Sequence, residues 1–213
     1  MTAALVPAKP LDQAKGRLAA LLSEDERRRL ALAMLEDVLR TLGAVPAIDS
    51  IAVVSPDPDV LTLARELGAN AIQEPESVRG INQALVHAIG MMDEALESLL
   101  VMLADVPEAT PADIEMLLSS LPERGMAICP SPDKGTSALA VRPADVIRFH
   151  FGRDSFTLHK REAAARGIDA EVVRIESLSR DMDSPEDLRG LMSRPGETAT
   201  HRLLASLGIA ERA

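Results

Sequence analysis

The sequence is poor in aromatic residues: its 213 residues include three Phe and neither Tyr nor Trp. Proteins that bind single-stranded nucleic acid stack bases on aromatic side chains, so this composition argues against that class. The formal net charge of −10 also has the wrong sign for a polyanion-binding surface. We therefore expect no nucleic-acid partner, and a core packed from aliphatic side chains and Met.

Cysteine and long apolar runs are scarce as well. Cys129 is the single cysteine, so an intramolecular disulfide and a cysteine-rich zinc site are both excluded. No apolar segment reaches the roughly 20 residues that a membrane-spanning helix needs, and the N-terminus lacks a signal-peptide pattern. These absences predict a cytoplasmic protein without a membrane partner.

Short apolar runs alternate with helical patterns along the chain. This alternation indicates a three-layer α/β/α sandwich with a mostly parallel sheet. We expect one domain over 1–193 and a helical C-terminal appendage over 194–213. The predicted strands are 3–8, 51–55, 69–73, 99–104, 126–129, 137–142 and 171–175, and the predicted helices include 24–42, 57–68, 80–97, 155–166 and 185–192.

Three cations follow the first predicted strand within nine residues: Lys9, Lys15 and Arg17. A loop of this kind can wrap a triphosphate, because phosphate oxygens need several donors and positive charge. The alternative interpretation is a solvated basic loop that leads into a helix.

Two aspartates stand at positions suited to a metal ion. Asp105 directly follows the most apolar predicted strand, and Asp183 precedes a predicted helix that starts at Pro185. Mg²⁺ prefers carboxylates together with phosphate oxygens. The alternatives are a turn-forming role for Asp105 and helix capping around Asp183. The sequence leaves open whether Asp181 shares the metal.

Hydroxyl and glycine residues form a third group of candidates. Thr136 lies in a Gly-Thr-Ser segment that follows a predicted strand, and Ser155 stands at the expected N-cap of a helix, three residues after Gly152. Backbone N–H groups and hydroxyls in such places attract anions, but Ser155 as a plain N-cap is an equal alternative. The four histidines lack a catalytic motif, and none is predicted to be catalytic.

Several segments, in order, resemble one known family. They are VPAKPLDQAKGRLA, AMLEDVL, SPDPDV, GINQAL, LADVP, GTSALAVRP, FGRDSFTLHKREA and DMDSPEDL. Together they resemble the CofC/FbiD guanylyltransferases of coenzyme F-420 biosynthesis, which belong to the MobA-like nucleotidyltransferases with a glycosyltransferase-A-like fold. The resemblance runs from about Val6 to Leu188.

The resemblance implies GMP transfer from GTP to a three-carbon phosphorylated carboxylic acid, with release of pyrophosphate. The acceptor would be 2-phospho-L-lactate, phosphoenolpyruvate or 3-phospho-D-glycerate. The resemblance implies that the GTP phosphates are bound by Lys9, Lys15 and Arg17. It implies that Mg²⁺ is held by Asp105 and Asp183, and that the acceptor is bound by Thr136, Gly152 and Ser155. Ser55, at the end of a predicted strand, and Asn82, in GINQAL, are further candidates for nucleotide binding.

One departure leaves the acceptor open: the family usually has Gly-Gly-Thr-Asn where this chain has Lys134-Gly135-Thr136-Ser137. An alternative is a MobA-like nucleotidyltransferase for another acceptor, although those enzymes open with a glycine-rich loop. Another is a non-catalytic nucleotide-binding regulatory module, against which both Asp105 and Asp183 argue. Hand-over of product to the downstream transferase and a homodimer are further expectations that the sequence leaves open.

Overall fold

The computed structural model describes residues 1–92 and 96–212. The described residues form a seven-stranded sheet in the order β3-β2-β1-β4-β6-β5-β7. Only β6 runs antiparallel to its neighbours, and the other four strand pairs are parallel. The strands are β1 (Thr2–Pro7), β2 (Ser50–Ser55), β3 (Asn70–Gln73), β4 (Ser98–Met102), β5 (Gly125–Pro130), β6 (Thr136–Arg142) and β7 (Asp169–Val172).

Helices cover both faces of this sheet, which confirms the predicted three-layer α/β class. One apolar cluster packs α1, α2 and α4 on one face, and another packs α3 and α5 on the other. The helices are α1 (Glu24–Gly43), α2 (Pro58–Glu66), α3 (Ile81–Ile89), α4 (Pro111–Ser119), α5 (Ser155–Arg166), α6 (Glu176–Ser179), α7 (Pro185–Met192), α8 (Ala199–Ser206) and α9 (Ile209–Arg212). Within these described residues, no helix has the length and hydropathy needed to cross a bilayer.

Several predicted elements differ from the structure at their ends. The strand predicted over 99–104 ends at Met102, and the helix predicted over 57–68 ends at Glu66. The predicted helix over 80–97 is wrong at its C-terminal end, because α3 stops at Ile89 with Gly90 as its C-cap. Residues 93–95 of that prediction lie outside the described residues. The last strand lies two residues earlier than predicted, because its pairing with β5 begins at Gly125 and Asp169.

The C-terminal residues pack on the long helix α1. The Asp37 carboxylate, in the middle of α1, accepts hydrogen bonds from the backbone N–H groups of Ala199 and Thr200 at 2.7 and 2.9 Å. These contacts supply a buried anionic partner for two N–H groups that the start of α8 would otherwise leave unpaired. Apolar side chains of α1, α7, α8 and α9 complete the contact.

The strand order places a crevice between β1 and β4. The chain leaves β1 toward β2 on one side and later returns to β4 on the other side, so the loops after these two strands diverge. In open α/β sheets, ligands bind at such a switch point, outside the carboxyl ends of the strands. The basic loop after β1 and Asp105 after β4 flank this crevice.

Candidate active site

A cleft of about 790 Å³ opens at the carboxyl ends of β1, β2 and β4. Its wall includes the loop after β1, the loop after β4, the start of β6 and the start of α5. The predicted site residues in this wall are Lys9, Lys15, Asp105, Thr136, Gly152, Ser155 and Asp183. The fold therefore brings one basic loop, the acidic residues and the hydroxyl residues to a single cavity.

Lys15 is the central cation of the cleft. Its Nζ lies 2.8 Å from Asp105 Oδ2 and 2.8 Å from Asp183 Oδ1, although these partners are 90 and 168 positions away in the chain. The Lys15 side chain is only 7% exposed. Burial alone would lower the pKa of Lys15, but the two carboxylates outweigh it and raise the pKa. The ammonium is therefore charged and fixed between two anions.

The backbone of Lys15 contributes to this placement. Lys15 adopts left-handed angles, φ 53° and ψ 39°, between the short 3₁₀ turns Leu11–Gln13 and Gly16–Leu18. This conformation costs a residue with a Cβ atom about 1–2 kcal/mol. The other described non-glycine residues with positive φ are Lys134 and Asp154, and each directly precedes a segment of the cleft wall. Backbone strain in this protein is thus concentrated beside the cleft, as is usual for functional sites.

Three carboxylates meet beside Lys15. Oxygen atoms of Asp105, Asp181 and Asp183 lie within 4.8 Å of one another. The second carboxylate oxygen of Asp105, Oδ1, is buried and has no hydrogen-bond partner among the described residues. An all-oxygen donor set with an unsatisfied carboxylate oxygen fits a hard divalent cation such as Mg²⁺. Asp181, which the sequence leaves open, is part of this acidic cluster.

The carboxylates of the acidic cluster have different electrostatic surroundings, which shift their pKa values in different directions. Burial, and after it Asp105 and Asp183, raises the pKa of Asp181 to about 6. Burial also acts to raise the pKa of Asp183, but Lys15, Arg17 and Lys9 outweigh it, so this pKa lies below its usual value. Asp181 is therefore the carboxylate whose charge is least compensated by the protein's own cations.

The start of α7 leaves Asp183 free for this site. Ser184 is the N-cap: its side chain accepts from the Asp187 N–H, and Asp187 Oδ2 accepts from the Ser184 N–H at 2.7 Å. Asp187 also accepts from the Asp183 N–H at 3.1 Å. The helix capping predicted around Asp183 is therefore confirmed, and because Ser184 and Asp187 complete the capping box, it leaves the Asp183 carboxylate available.

Two hydroxyl groups lie together in the part of the cleft wall that is formed by the starts of β6 and α5. Ser155 Oγ donates to Thr136 Oγ1 at 3.1 Å, and both residues are buried. The N-cap of α5 is Asp154, in a left-handed conformation and without a side-chain cap, so Ser155 is the first helical residue. The expected position of Ser155 as N-cap is therefore wrong by one residue. Gly152, at φ 122°, allows the turn that leads into this helix.

The other predicted residues have different surroundings. Lys9 is exposed, and Arg17 is 82% exposed with Nη1 3.7 Å from Asp183 Oδ2. Ser55 is buried, and its Oγ accepts from the Asp57 N–H at 3.1 Å. The Asn82 amide makes two bonds with the Phe151 backbone, at 3.0 and 2.8 Å, next to Gly152. Neither Ser55 nor Asn82 is part of the cleft wall. Nucleotide binding by these two residues stays a prediction.

Comparison with known proteins identifies the family. The model of the family described as "Guanylyl transferase CofC like" matches residues 2–212. The chain belongs to this family. A phosphoenolpyruvate guanylyltransferase of Sphaerobacter thermophilus is 44% identical over 195 residues, which cover 89% of this chain and 92% of that relative. A 2-phospho-L-lactate guanylyltransferase of Methanocaldococcus jannaschii is 31% identical over 206 residues, with 96% and 88% covered.

This CofC-like guanylyl transferase also has relatives among solved structures. A nucleotidyl transferase from Methanothermobacter superposes with a TM-score of 0.67 at 14% identity, covering 97% of this chain and 99% of that structure. The predicted family, fold and enzyme class are confirmed: the chain is a nucleotidyltransferase. The family model also covers the C-terminal tail, whereas the resemblance seen in the sequence ends at about Leu188.

Proposed function

We propose that this protein transfers GMP from GTP to a phosphorylated three-carbon carboxylic acid, with release of pyrophosphate, in coenzyme F-420 biosynthesis. The observation that carries the proposal is the contact of Lys15 with Asp105 and Asp183 in the cleft of a CofC-like guanylyl transferase. Phosphoenolpyruvate is our first candidate acceptor, because a relative with that activity in its name is 44% identical, against 31% for a 2-phospho-L-lactate relative.

The proposed step joins two anions. A phosphate oxygen of the acceptor forms a bond to the α-phosphorus of GTP, and the bond from that phosphorus to the bridging oxygen of pyrophosphate breaks. A phosphate dianion is already a nucleophile at neutral pH, so the step needs no general base. Catalysis then consists mainly of alignment and charge neutralisation.

Different side chains of the cleft wall would neutralise the nucleotide phosphates and align the acceptor. Lys15, with Lys9 and Arg17 on the same loop, brings positive charge to the nucleotide phosphates. The hydroxyl groups of Thr136 and Ser155 lie in the part of the cleft wall at the starts of β6 and α5, where the acceptor would lie. We call this part the acceptor wall. The buried surroundings of Lys15, Thr136 and Ser155 strengthen the electrostatic effect of these three residues relative to water.

The acidic cluster would hold Mg²⁺. The proposed ligands are Asp105 and Asp183, with Asp181 as a third candidate, because their oxygens lie within 4.8 Å of one another. Bound there, the ion would supply positive charge that neutralises the phosphate oxygens of GTP. The partnerless Oδ1 of Asp105 is the observation of this structure that supports such a ligand.

A pyrophosphate-release assay tests the proposed function. The protein is incubated with Mg²⁺, one nucleotide and one of the three acids, together with the downstream transferase to consume an unstable product. We expect release with GTP and with at least one acid, and none after addition of excess EDTA. Equal rates with ATP, CTP and GTP, or rates unaffected by EDTA, would contradict the proposal.

The acceptor wall can be tested apart from the nucleotide site with Ser155→Ala. We expect the acceptor KM to rise roughly tenfold while the KM for GTP changes little, because the variant removes the hydrogen bond that the Ser155 hydroxyl donates to Thr136 Oγ1, and such a bond is worth about 0.5–1.5 kcal/mol. Steady-state kinetics with each substrate varied in turn gives both values.

The matched control for Ser155→Ala is Ser98→Ala. Ser98 is also buried and also pairs with a threonine, at 2.8 Å from Thr2 Oγ1, but it lies at the opposite end of the sheet. Both variants should melt at a lower temperature, whereas only Ser155→Ala should change the acceptor KM. A lower melting temperature with an unchanged acceptor KM would make Ser155 a structural residue only.

Small-molecule substrates follow from the family, but other partners do not. Hand-over of product to the downstream transferase, a homodimer and a cytoplasmic location stay predictions. The division into a domain over 1–193 and an appendage over 194–213 also stays a prediction.

A further inference from the structure

His159 lies beneath the acceptor wall and is fully buried. Its ring contacts Phe151 edge to face, with centroids 5.0 Å apart. The two ring nitrogens have separate partners: Nε2 is 2.9 Å from the backbone N of His150, and Nδ1 is 3.2 Å from Thr136 Oγ1. This histidine therefore connects the backbone of the loop before α5, at His150, to the hydroxyl of Thr136 in the cleft wall.

The partner of Nε2 decides where the ring carries its proton. A backbone N–H can only donate, so Nε2 must accept and cannot carry a hydrogen. Burial, and after it His150, lowers the pKa of His159 to about 4, so the ring is neutral near pH 7. The single ring proton is then on Nδ1, and Nδ1–H donates to Thr136 Oγ1.

Thr136 Oγ1 consequently accepts two hydrogen bonds, one from His159 Nδ1–H and one from the Ser155 hydroxyl at 3.1 Å. A hydroxyl oxygen has two acceptor lone pairs and one proton to donate. With both lone pairs occupied, the Thr136 hydroxyl has only its proton left for a further partner. Thr136 belongs to the cleft wall, and its hydroxyl has no other side-chain partner among the described residues, so a molecule bound in the cleft is the available acceptor for this proton.

We infer that His159 is a positioning residue that fixes the Thr136 hydroxyl as a hydrogen-bond donor toward the cleft. Such a donor selects an oxygen that only accepts, as in a carboxylate or a phosphate, and disfavours a ligand that presents an N–H at this point. This inference rests on the proposed function only in placing the acceptor at this wall.

The first test uses the unmodified protein. The ¹⁵N chemical shifts of labelled histidine distinguish the two neutral tautomers, and His159 is assigned as the signal that is lost in a His159 variant. We expect the Nδ1–H tautomer near pH 7. The Nε2–H tautomer, or a protonated ring at that pH, would overturn the inference.

The second test compares two variants at one position. His159→Phe keeps a ring but removes the donor, whereas His159→Asn places an amide nitrogen near the position of Nδ1. We expect His159→Phe to raise the KM for phosphoenolpyruvate roughly tenfold, the value of one hydrogen bond. The KM for GTP and kcat should change less than about threefold, and His159→Asn should recover most of the acceptor affinity.

A third variant separates positioning from simple loss of packing. Thr136→Val removes the hydroxyl through which His159 is proposed to act, so His159→Phe should weaken acceptor binding no further in that background. Additive effects of the two substitutions, or a folded His159→Phe protein with an unchanged KM for phosphoenolpyruvate, would contradict the inference.

The readouts also separate this inference from the proposed function. If no acid supports pyrophosphate release, the proposed function fails, and calorimetric binding of phosphoenolpyruvate to the same variants still tests His159. Where His159→Phe does not fold, the tautomer measurement and His159→Asn in the presence and absence of Thr136→Val decide the question.

Discussion

Asp105→Asn is expected to lower turnover by about 10²–10³-fold, the usual cost of losing one electrostatic contact at a reacting centre. The amide is nearly the same size as the carboxylate, and it can still accept a hydrogen bond from Lys15, which lies 2.8 Å from Oδ2. It removes one negative charge from the acidic cluster, so the cluster neutralises a divalent cation less well. We therefore expect a nearly unchanged melting temperature together with the loss of pyrophosphate release.

The control for this variant is Asp169→Asn, the same substitution at an exposed residue of β7. It should keep its full turnover. The Asp105→Asn protein should be assayed over a wide range of Mg²⁺ concentrations, because a weakened site needs more metal. Near wild-type turnover at saturating Mg²⁺ would remove Asp105 from the metal site.

Lys15→Met is expected to lower turnover by a similar factor, about 10²–10³, for a different physical reason. Lys15 is a buried cation between Asp105 and Asp183, and its removal leaves carboxylates that repel one another with only the more distant charges of Arg17 and Lys9 as compensation. The variant should therefore be less stable in metal-free buffer. Because the ammonium no longer competes for the same carboxylates, Mn²⁺ should bind the nucleotide-free variant at least about tenfold more tightly.

Two measurements check the Lys15 prediction. Kinetic assays give turnover, and Mn²⁺ titration followed by electron paramagnetic resonance gives the metal affinity. Lys160→Met, at an exposed position outside the cleft wall, is the matched control and should change neither value. A Lys15→Met protein that keeps turnover within about threefold would exclude Lys15 from the catalytic step.

Local signals in the sequence single out Asp105 and Asp183, and the structure brings these two residues together with Asp181. Asp105 directly follows a continuous apolar run, and such a run becomes a central strand whose carboxyl end faces the crevice. The signal at Asp183 is the capped helix start, and the structure shows that the cap belongs to Ser184 and Asp187. Strand and helix boundaries thus mark both aspartates as candidates, whereas the metal role is implied only by the family resemblance.

Other features depend on contacts that no local pattern encodes. Lys15 is predicted as a phosphate contact, but its position between two carboxylates depends on partners that come from distant loops. His159 resembles any helical histidine in the sequence, since its two partners come from the start of β6 and from the loop before α5. The end of α3 is missed for a simpler reason: apolar residues continue past Gly90, which stops the helix.

The sequence separations of 90 and 168 positions between Lys15 and its two partners also affect how the protein acquires activity. Contacts between such distant segments require closure of long loops, which makes them slow to form compared with helices and hairpins. During synthesis the basic loop leaves the ribosome long before Asp183 does. A nascent chain that ends before residue 183 therefore lacks one of the two carboxylates that contact Lys15, and under the proposed function it cannot yet transfer GMP.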